Sequence, residues 1–407
     1  MAALEYTLTM SYNVSLNSKE QRAVLALALT FAARLLGLFM LLPVFALVVE
    51  NYPLANKHLA GVAAGIYGLP QAILQVPFGL LSDRYGRKPV IILGLLLLAG
   101  GSLIAANATT IYGIIGGRLL QGTGAIGSVI SASLADNTRD VVRTRAMAYL
   151  GMAVGGSFLL AMVLGPALEV WLGLSYMFVV AAALSIVAML IIYKLVPAEH
   201  SLPSKLTSST SLKLAVKKIF SRHLFSFYLG IFVLHFILSG LFLVLPFKIE
   251  AIGIVGLELS YLYLIILVIA MVCALKLIKL AENFNKILVL QNFAIIGVLT
   301  SLCLLTLVSK NFYGIILALS LFFIAFCILE ASLPTLVSKT IDLEIRGAAL
   351  GLFSSFQFLG IFLGGSIGGR INAIYGELAL LCGCVALSFL WLLCTKIITL
   401  TNKQSIR

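Results

Sequence analysis

Charged side chains are scarce in this 407-residue sequence: Asp, Glu, Lys and Arg together make up 11% of it, and only 15 residues are acidic. Ordinary soluble domains carry about 25% charged residues. Hydrophobic residues reach 61%, more than a soluble fold of this length can hide, whereas a protein whose exterior faces lipid has no need to hide them. Histidine is rarer still, with four in the chain. The six cysteines (Cys273, Cys303, Cys327, Cys382, Cys384 and Cys394) have no histidines at ligand spacing, so no metal site is expected. They lie in or beside apolar runs and read as small buried hydrophobes; Cys382 and Cys384, two apart, point to different sides of a helix. No Ser/His/Asp, Cys/His or phosphate-loop constellation is present, which excludes an enzyme and leaves no catalytic residue to name. The start, MAALEYTLTMSYNVSLN, lacks the basic segment and cleavage site of a signal peptide. The apolar run from Ala23 to Val49 is too long for one and is expected to be retained as the first span.

What is present is a series of long apolar runs. Each membrane-crossing helix needs about 20 predominantly apolar residues. Runs of that kind fall near 22–49, 58–81, 89–106, 111–134, 144–167, 173–195, 223–247, 257–279, 286–308, 312–336, 346–369 and 376–400. The expected fold is therefore an all-α polytopic membrane protein with twelve transmembrane helices. The net charge of +13 would suggest nucleic acid in a soluble chain, but here the basic residues sit in the breaks between runs. Counted by loop, 22 Lys and Arg lie on the side of the N-terminus, four (Lys57, Lys248, Lys310 and Arg370) lie opposite, and Arg34 and Arg118 lie inside runs. Positive charge marks the cytoplasmic face, so both termini are expected in the cytoplasm and no nucleic-acid partner is expected.

The longest interruption runs from Pro197 to Ser221 and divides the chain almost in half. Its Ser/Thr/Pro-rich part reads as a linker, and LKLAVKKIF after it has the pattern of a short amphipathic helix on the inner surface. The expected organisation is a polar tail (1–21), a six-helix bundle (22–196), a cytoplasmic linker (197–221), a second six-helix bundle (222–400) and a short tail (401–407). Internal repetition supports two related halves. At an offset of 199, Asp83 matches Glu282, Tyr85 matches Phe284 and Arg87 matches Lys286, and ASL at 132–134 recurs at 331–333.

The sharpest local signal is Gly79-Leu-Leu-Ser-Asp83-Arg84-Tyr-Gly86-Arg87-Lys88, a very short turn between two spans. Gly79 suits close helix packing, Gly86 suits a turn conformation that other residues resist, and Asp83 can pair with the basic residues. GLLSDRYGRKP resembles the signature loop between the second and third helices of the major facilitator superfamily. Arg118-Leu-Leu-Gln121-Gly122-Thr-Gly124 resembles the fourth-helix signature of its proton-coupled members. Gly156, Gly165 and Pro166 resemble part of the fifth-helix signature of drug antiporters, although Ala161, Leu168 and Glu169 depart from its glycine repeats. Four stretches, GIYGLPQAILQVPFGLLSDRYGRKP, LEASLPTLVSKT, SSFQFLGIFLGGSIGG and ARLLGLFMLLPV, are similar to the YajR-type branch of bacterial transporters. That branch usually adds a small soluble domain after the last helix, and this sequence, ending at Arg407, is read without it. The resemblance implies alternating-access export of drug-like or amphipathic compounds in exchange for protons, in a bacterial inner membrane. It also implies that Asp83, Arg87 and Asp136 form a charge cluster that locks the outward-open state.

An ionisable side chain at mid-membrane costs about 2.5–3.5 kcal/mol on insertion scales, so each one is a functional candidate. Arg34 lies twelve residues into the first run, roughly 18 Å deep. His235 is at similar depth in the seventh run, Glu330 is in the inner half of the tenth and Arg118 in the outer half of the fourth. The superfamily resemblance makes helices one, four, seven and ten the lining of a central cavity, and these four residues fall one on each. Glu330 is the expected proton carrier, because a carboxyl group withdrawn from water can load and release protons near neutrality. His235 is the second, with an unperturbed pKa of about 6.5. Arg34 and Arg118 stay charged and suit counter-ion or structural roles.

Tyr67, Gln71 and Gln75 recur every four residues as one polar stripe, expected to face the protein interior or the cavity with Gln357. Phe39, Phe45, Phe236, Phe242 and Phe326 are candidates for an aromatic lining. One buried carboxylate in an apolar cavity favours export of lipophilic cations; a proton-coupled importer of a sugar, peptide or organic acid uses the same scaffold and is the alternative. A non-transporting sensor or assembly factor would be expected to have degraded loop motifs. The expected partners are a small-molecule substrate, protons and lipid, with a monomeric chain and no cofactor beyond the proton gradient.

Overall fold

Lipid offers backbone amides no hydrogen-bond partner, so an apolar chain must satisfy them within helices. The structure, a computed structural model, describes residues 15–196, 218–308, 311–342 and 345–404, and side chains as far as Lys396. Its helices are α1 (Ser18–Phe39), α2 (Phe45–Val49), α3 (Lys57–Gly65), α4 (Gly68–Tyr85), α5 (Arg87–Ala106), α6 (Ile111–Thr123), α7 (Gly127–Asp136) and α8 (Asp140–Leu195). After residues 197–217, where most of the expected linker falls and which lie outside the described residues, come α9 (Arg222–Leu241) and α10 (Leu245–Glu250). They are followed by α11 (Leu257–Asn283), α12 (Ile287–Leu307), α13 (Phe312–Thr340) and α14 (Arg346–Gln404).

Among the described residues, nine helices are long and apolar enough to cross a membrane, counting α3 and α4 as one. Three features separate that number from the twelve runs read in the sequence. The fourth run is split into α6 and α7 by a break at Gly124–Ile126, which leaves both pieces short. The 56-residue α8 would extend about 84 Å if straight, against a hydrocarbon layer of about 30 Å. It turns back at Gly173 (φ 76°, ψ 169°). The 59-residue α14 does the same at Gly376 (φ 83°, ψ 174°). These φ values lie where a Cβ is resisted, which is why glycine stands at both bends.

Both ends of the chain are more helical than the sequence suggests. The first helix starts at Ser18, inside the expected polar tail, because Asn17 and Glu20 form a capping box: Glu20 N donates to Asn17 Oδ1 and Asn17 N donates to a Glu20 carboxylate oxygen, both at 2.8 Å. The last helix continues to Gln404, past the expected boundary at 400.

The two halves repeat one plan. Helix α1 ends at Phe39 and resumes as short α2; α9 ends at Leu241 and resumes as short α10. The tight turn at Gly86 (φ 93°) is echoed by Asn285 (φ 53°), 199 residues later; asparagine is among the few residues that tolerate this region. In the first half α1 and α5 pack on α8; in the second, α9 and α12 pack on α14. Outer faces are greasy: α11 exposes Tyr261, Ile265, Val268 and Val272 while burying Leu259, Tyr263, Ile266 and Ala270. A helix in water would carry polar residues on that outer face.

Contact between the halves is concentrated where α3 and α4 meet α14, and where α8 meets α11. Along α3 and α14 the backbones touch. A Cβ placed on Gly365 would stand 2.6 Å from the Gly61 carbonyl oxygen, and one on Gly369 would stand 2.8 Å from the Gly61 Cα. This seam lies at the end of the molecule that carries Lys57. Near the opposite end, Cβ atoms added to Gly347 and Gly351 of α14 would meet nothing within 4 Å.

Overpacking a tight seam costs about 1–3 kcal/mol. Gly365→Ala should therefore part α3 from α14. Spin labels at exposed Leu54 and Tyr375, on a background without the six native cysteines, should report a longer distance distribution than without the substitution. An unchanged distribution would contradict the seam's role in holding that end shut.

Candidate functional site

Three helices of the second half bring His235, Glu330 and Gln357 together. On α9, His235 Nδ1 lies 3.2 Å from the Ile231 carbonyl oxygen, one turn back. A carbonyl only accepts, so Nδ1 carries the proton and Nε2 of the neutral ring is an acceptor. Gln357, from α14, fills it: its Nε2 donates to His235 Nε2 at 2.9 Å and to Glu330 Oε1 at 3.1 Å. Glu330 Oε2, from α13, stands 3.7 Å from His235 Nε2 and is buried without a hydrogen-bond partner. The Glu330 side chain as a whole is 31% exposed. Gln357 was expected in the cavity wall; its position as the bridge between the two titratable groups has no local sequence signal, because it comes from a helix distant in the chain.

The first half holds cations instead. At the break between α6 and α7 the Gly124 carbonyl accepts from Ile126 N at 2.9 Å, and also from Arg34 Nη2 at 3.3 Å and Gln71 Nε2 at 3.4 Å. Arg118 Nη2 donates to the Ala64 carbonyl at 2.9 Å, and its guanidinium lies 4.8 Å from the ring centroids of both Phe45 and Tyr67. Arg34 and Arg118 are 1% and 3% exposed. Among the described residues, neither enters an ion pair. Arg34 Nε and Arg118 Nε and Nη1 have no hydrogen-bond partner. Of the counter-ion or structural roles expected of these arginines, the contacts seen among the described residues are with backbone carbonyls and rings.

The polar stripe divides. Tyr67 borders a pocket between the halves, whereas Gln71 and Gln75 are buried against the helix pieces of the fourth run. Ser128 Oγ donates to the Gln75 carbonyl at 2.9 Å. The fourth-helix motif is a packing motif here. A Cβ on Gly122 would meet the Tyr67 carbonyl and Pro70, one on Gly124 would meet the Gly94 carbonyl, and Gln121 Nε2 donates to Ser102 Oγ at 2.8 Å. In the fifth-helix motif, Gly165 lies against the Met40 carbonyl and Pro166 is inside α8, but a Cβ on Gly156 would meet nothing within 4 Å.

The pocket is lined from the first half by Phe39, Phe45, Tyr67 and Arg118, and from the second by Ser239 and Phe242, with aliphatic side chains between. Phe326 is not in its wall, but ends a run of rings that crosses between the halves. Phe39 meets Phe158 at 5.5 Å, Phe158 stacks on Phe326 at 5.5 Å, and Phe326 lies 5.9 Å from the His235 ring. Phe236 lies beside Phe232 at 6.2 Å and is not among the residues lining the pocket. Sequence reasoning passed over Phe158; only its aromatic character on the fifth run could have flagged it.

At the other end, Arg87 pairs with Asp83 and with Asp136 (Nε–Oδ2 2.9 Å), and its Nη1 donates to Ser82 Oγ at 2.6 Å. Lys88 Nζ donates to the carbonyls of Tyr193 and Val196, each at 2.8 Å. Arg84 instead lies over the Tyr85 ring at 5.4 Å. Asp136 is the last residue of α7 rather than just beyond it. Gly86 adopts the positive φ expected of it, but Gly79 is not needed for packing: a Cβ there would stand 3.7 Å from Ser128 Oγ, an ordinary contact. A second ionic tie joins Glu20 of α1 to Arg139, whose Nε and Nη2 donate to its two oxygens at 2.8 and 2.9 Å. Sequence reasoning missed both: the Asn17-x-x-Glu20 capping pattern was there to be found, whereas nothing local marks Arg139 as the partner of Glu20.

Comparison with known proteins agrees with this architecture. Residues 27–365 match the Major Facilitator Superfamily. The chain is 38% identical over 377 residues to the inner membrane transport protein YajR of Escherichia coli strain K12, covering 92% of this chain and 82% of that one. It is 31% identical over 164 residues to the class B tetracycline resistance protein of Escherichia coli, 39% of this chain and 40% of the relative. A solved bacterial homologue of the human lysosomal transporter Spinster, inward-facing and occupied, superposes with a TM-score of 0.73 at 14% identity, over 96% of this chain and 98% of that one. The likeness in fold, the matched span and the long apolar helices lead to one conclusion: this chain is a multi-pass membrane protein that belongs to the major facilitator superfamily of transporters.

Proposed function

We propose that the chain is a proton-coupled exporter of small amphipathic or drug-like compounds, working by alternating access in the bacterial inner membrane. In this reading it crosses twelve times, in two six-helix bundles (22–196 and 222–400), with both termini in the cytoplasm. The bends at Gly173 and Gly376 supply two of the crossings and the rejoined α6 and α7 a third. The 22-to-4 distribution of basic residues supplies the orientation. The chain works as a monomer and needs no cofactor beyond the proton gradient. A relative named for tetracycline resistance favours export over import.

The observation that carries proton coupling is the Glu330–Gln357–His235 bridge. Ionised, Glu330 accepts from Gln357, which also serves His235 Nε2. A proton arriving on the unpartnered Oε2 converts that atom to a donor, with His235 Nε2 3.7 Å away to accept from it. His235 then changes partner, from Gln357 on α14 to Glu330 on α13, and the tie between α14 and α9 is released. Because α14 also forms the glycine seam with α3, protonation acts on the helix that joins the halves. Asp83, Arg87 and Asp136 form the complementary latch at the cytoplasmic end.

Asp83→Asn should leave folding and insertion intact while slowing turnover, with a shift of about 1–3 kcal/mol between states. Wild-type transport rates in purified, reconstituted mutant protein would rule out a latch.

For the proton site, one charge moved across 100 mV corresponds to about 2.3 kcal/mol, so the cycle needs a group that binds and releases protons. Glu330→Gln keeps the shape and removes the titration. In everted vesicles it should abolish substrate-linked collapse of a preset pH gradient at near-normal protein abundance, while exchange without a gradient survives. His235→Gln should give a milder defect. Normal proton-coupled rates in Glu330→Gln would put the carrier elsewhere.

A further inference from the structure

The two halves share a plan but not a charge. Among the described residues, two guanidiniums with no ion-pair partner are buried in the first half, and the carboxylate inside a span, Glu330, lies in the second. Arg34 is turned to a backbone carbonyl inside its own bundle. Arg118 differs, because it borders the pocket between the halves and is the sole charged residue in its wall. Around it stand the rings of Phe45 and Tyr67, then Phe39, Phe242 and Ile361. One of its donors is used on the Ala64 carbonyl, while Nε and Nη1 are unpartnered in a side chain that is 3% exposed.

A buried donor without an acceptor is costly, and a buried charge without a partner more so. Aromatic faces offset part of that cost but offer no lone pair along the N–H directions. What the wall lacks is an oxyanion, which supplies negative charge and acceptors at once and bonds to guanidinium more strongly than a neutral group does. A lipophilic cation would meet the opposite situation, a like charge in a poorly screened site with no carboxylate in the pocket wall. We infer that this pocket, too narrow for more than water while the halves are in contact, takes amphipathic organic anions as they part, an aromatic or aliphatic body against Phe39, Phe45, Phe242 and Ile361 with its carboxylate or equivalent oxyanion on Arg118. This names the substrate class within the transport reading above and rests on it, and it replaces the lipophilic cation suggested by the isolated carboxylate. The proton site is close enough to respond: Ser239 in the pocket wall and His235 are one turn apart on α9.

The test is equilibrium binding to the purified full-length chain in detergent, where no gradient exists and proton coupling plays no part. Three probes share one ring system: 2-naphthoate, the neutral 2-naphthamide and the cationic 2-naphthylmethylammonium. The expected order is naphthoate tightest, by about tenfold or more over the amide, with the ammonium weakest. In Arg118→Gln, the naphthoate-to-amide ratio should fall to within about twofold while amide binding is retained, which also reports that the pocket is folded. Arg118→Lys should keep a reduced preference for the anion, because it keeps the charge without the fork. If Arg118→Gln yields no folded protein, the wild-type ranking and Arg118→Lys carry the test. Tighter binding of the ammonium, an unchanged ratio in Arg118→Gln, or no binding of any probe at millimolar concentration would each overturn the inference. If Glu330→Gln loses proton movement yet the naphthoate preference is absent, the substrate class fails and the transport reading stands. The converse pair of results would sink the transport reading alone.

Discussion

Everything in this fold answers to the absence of water along the backbone. A helix interrupted in lipid exposes carbonyls that nothing outside can satisfy, so each interruption must be met from within the protein. The break between α6 and α7 is the clearest case. It replaces the helical partner of the Gly124 carbonyl with a tight turn bond from Ile126 N, and Arg34 and Gln71 converge on the same oxygen from two other helices. That convergence fixes where α1 and α4 sit relative to the fourth run, and α4 in turn carries Tyr67 to the pocket wall. A polar repair of the backbone thus sets the geometry of an apolar site.

The duplicated plan makes the differences between the halves informative. Turns, short helices after the first span and glycine bends recur at nearly constant offset. Buried chemistry does not. One half carries permanently charged guanidiniums held on backbone carbonyls and rings; the other carries a carboxyl and an imidazole joined by an amide. A scaffold of two similar rigid bodies leaves room for this division, because each bundle satisfies its own backbone and the interior polar groups are then available for different tasks.

Much of this was legible in the sequence for a simple reason: hydropathy and charge report directly on which segments can sit in lipid. Gly86 was recognisable because a turn that short requires a positive φ, and Glu330 because a carboxylate in an apolar run stands out. Less visible were relations between distant segments. Gln357 looked like one more polar residue in an apolar run, and nothing near it marks His235 and Glu330 as its partners. Arg139 looked like a loop cation until it met Glu20 across 119 positions. Gly79 illustrates the opposite error, a glycine assigned to packing that has only an ordinary contact at 3.7 Å. Composition reveals what a residue tolerates; it does not reveal what it touches.

The seam between α3 and α14 has a character that the opposite end of the molecule lacks. Gly61, Gly365 and Gly369 meet through backbone alone, with no side-chain charge or hydroxyl taking part. Its strength comes from close contact and responds little to dissolved ions. The Asp83–Arg87–Asp136 cluster, with its acidic side chains 41% exposed, lies within reach of the ionic atmosphere, where screening acts over about 8 Å at physiological ionic strength. The two ends of the transporter therefore obey different solution conditions. Added electrolyte weakens the ionic cluster, whose three members all belong to the first half, and leaves the glycine contact between the halves alone.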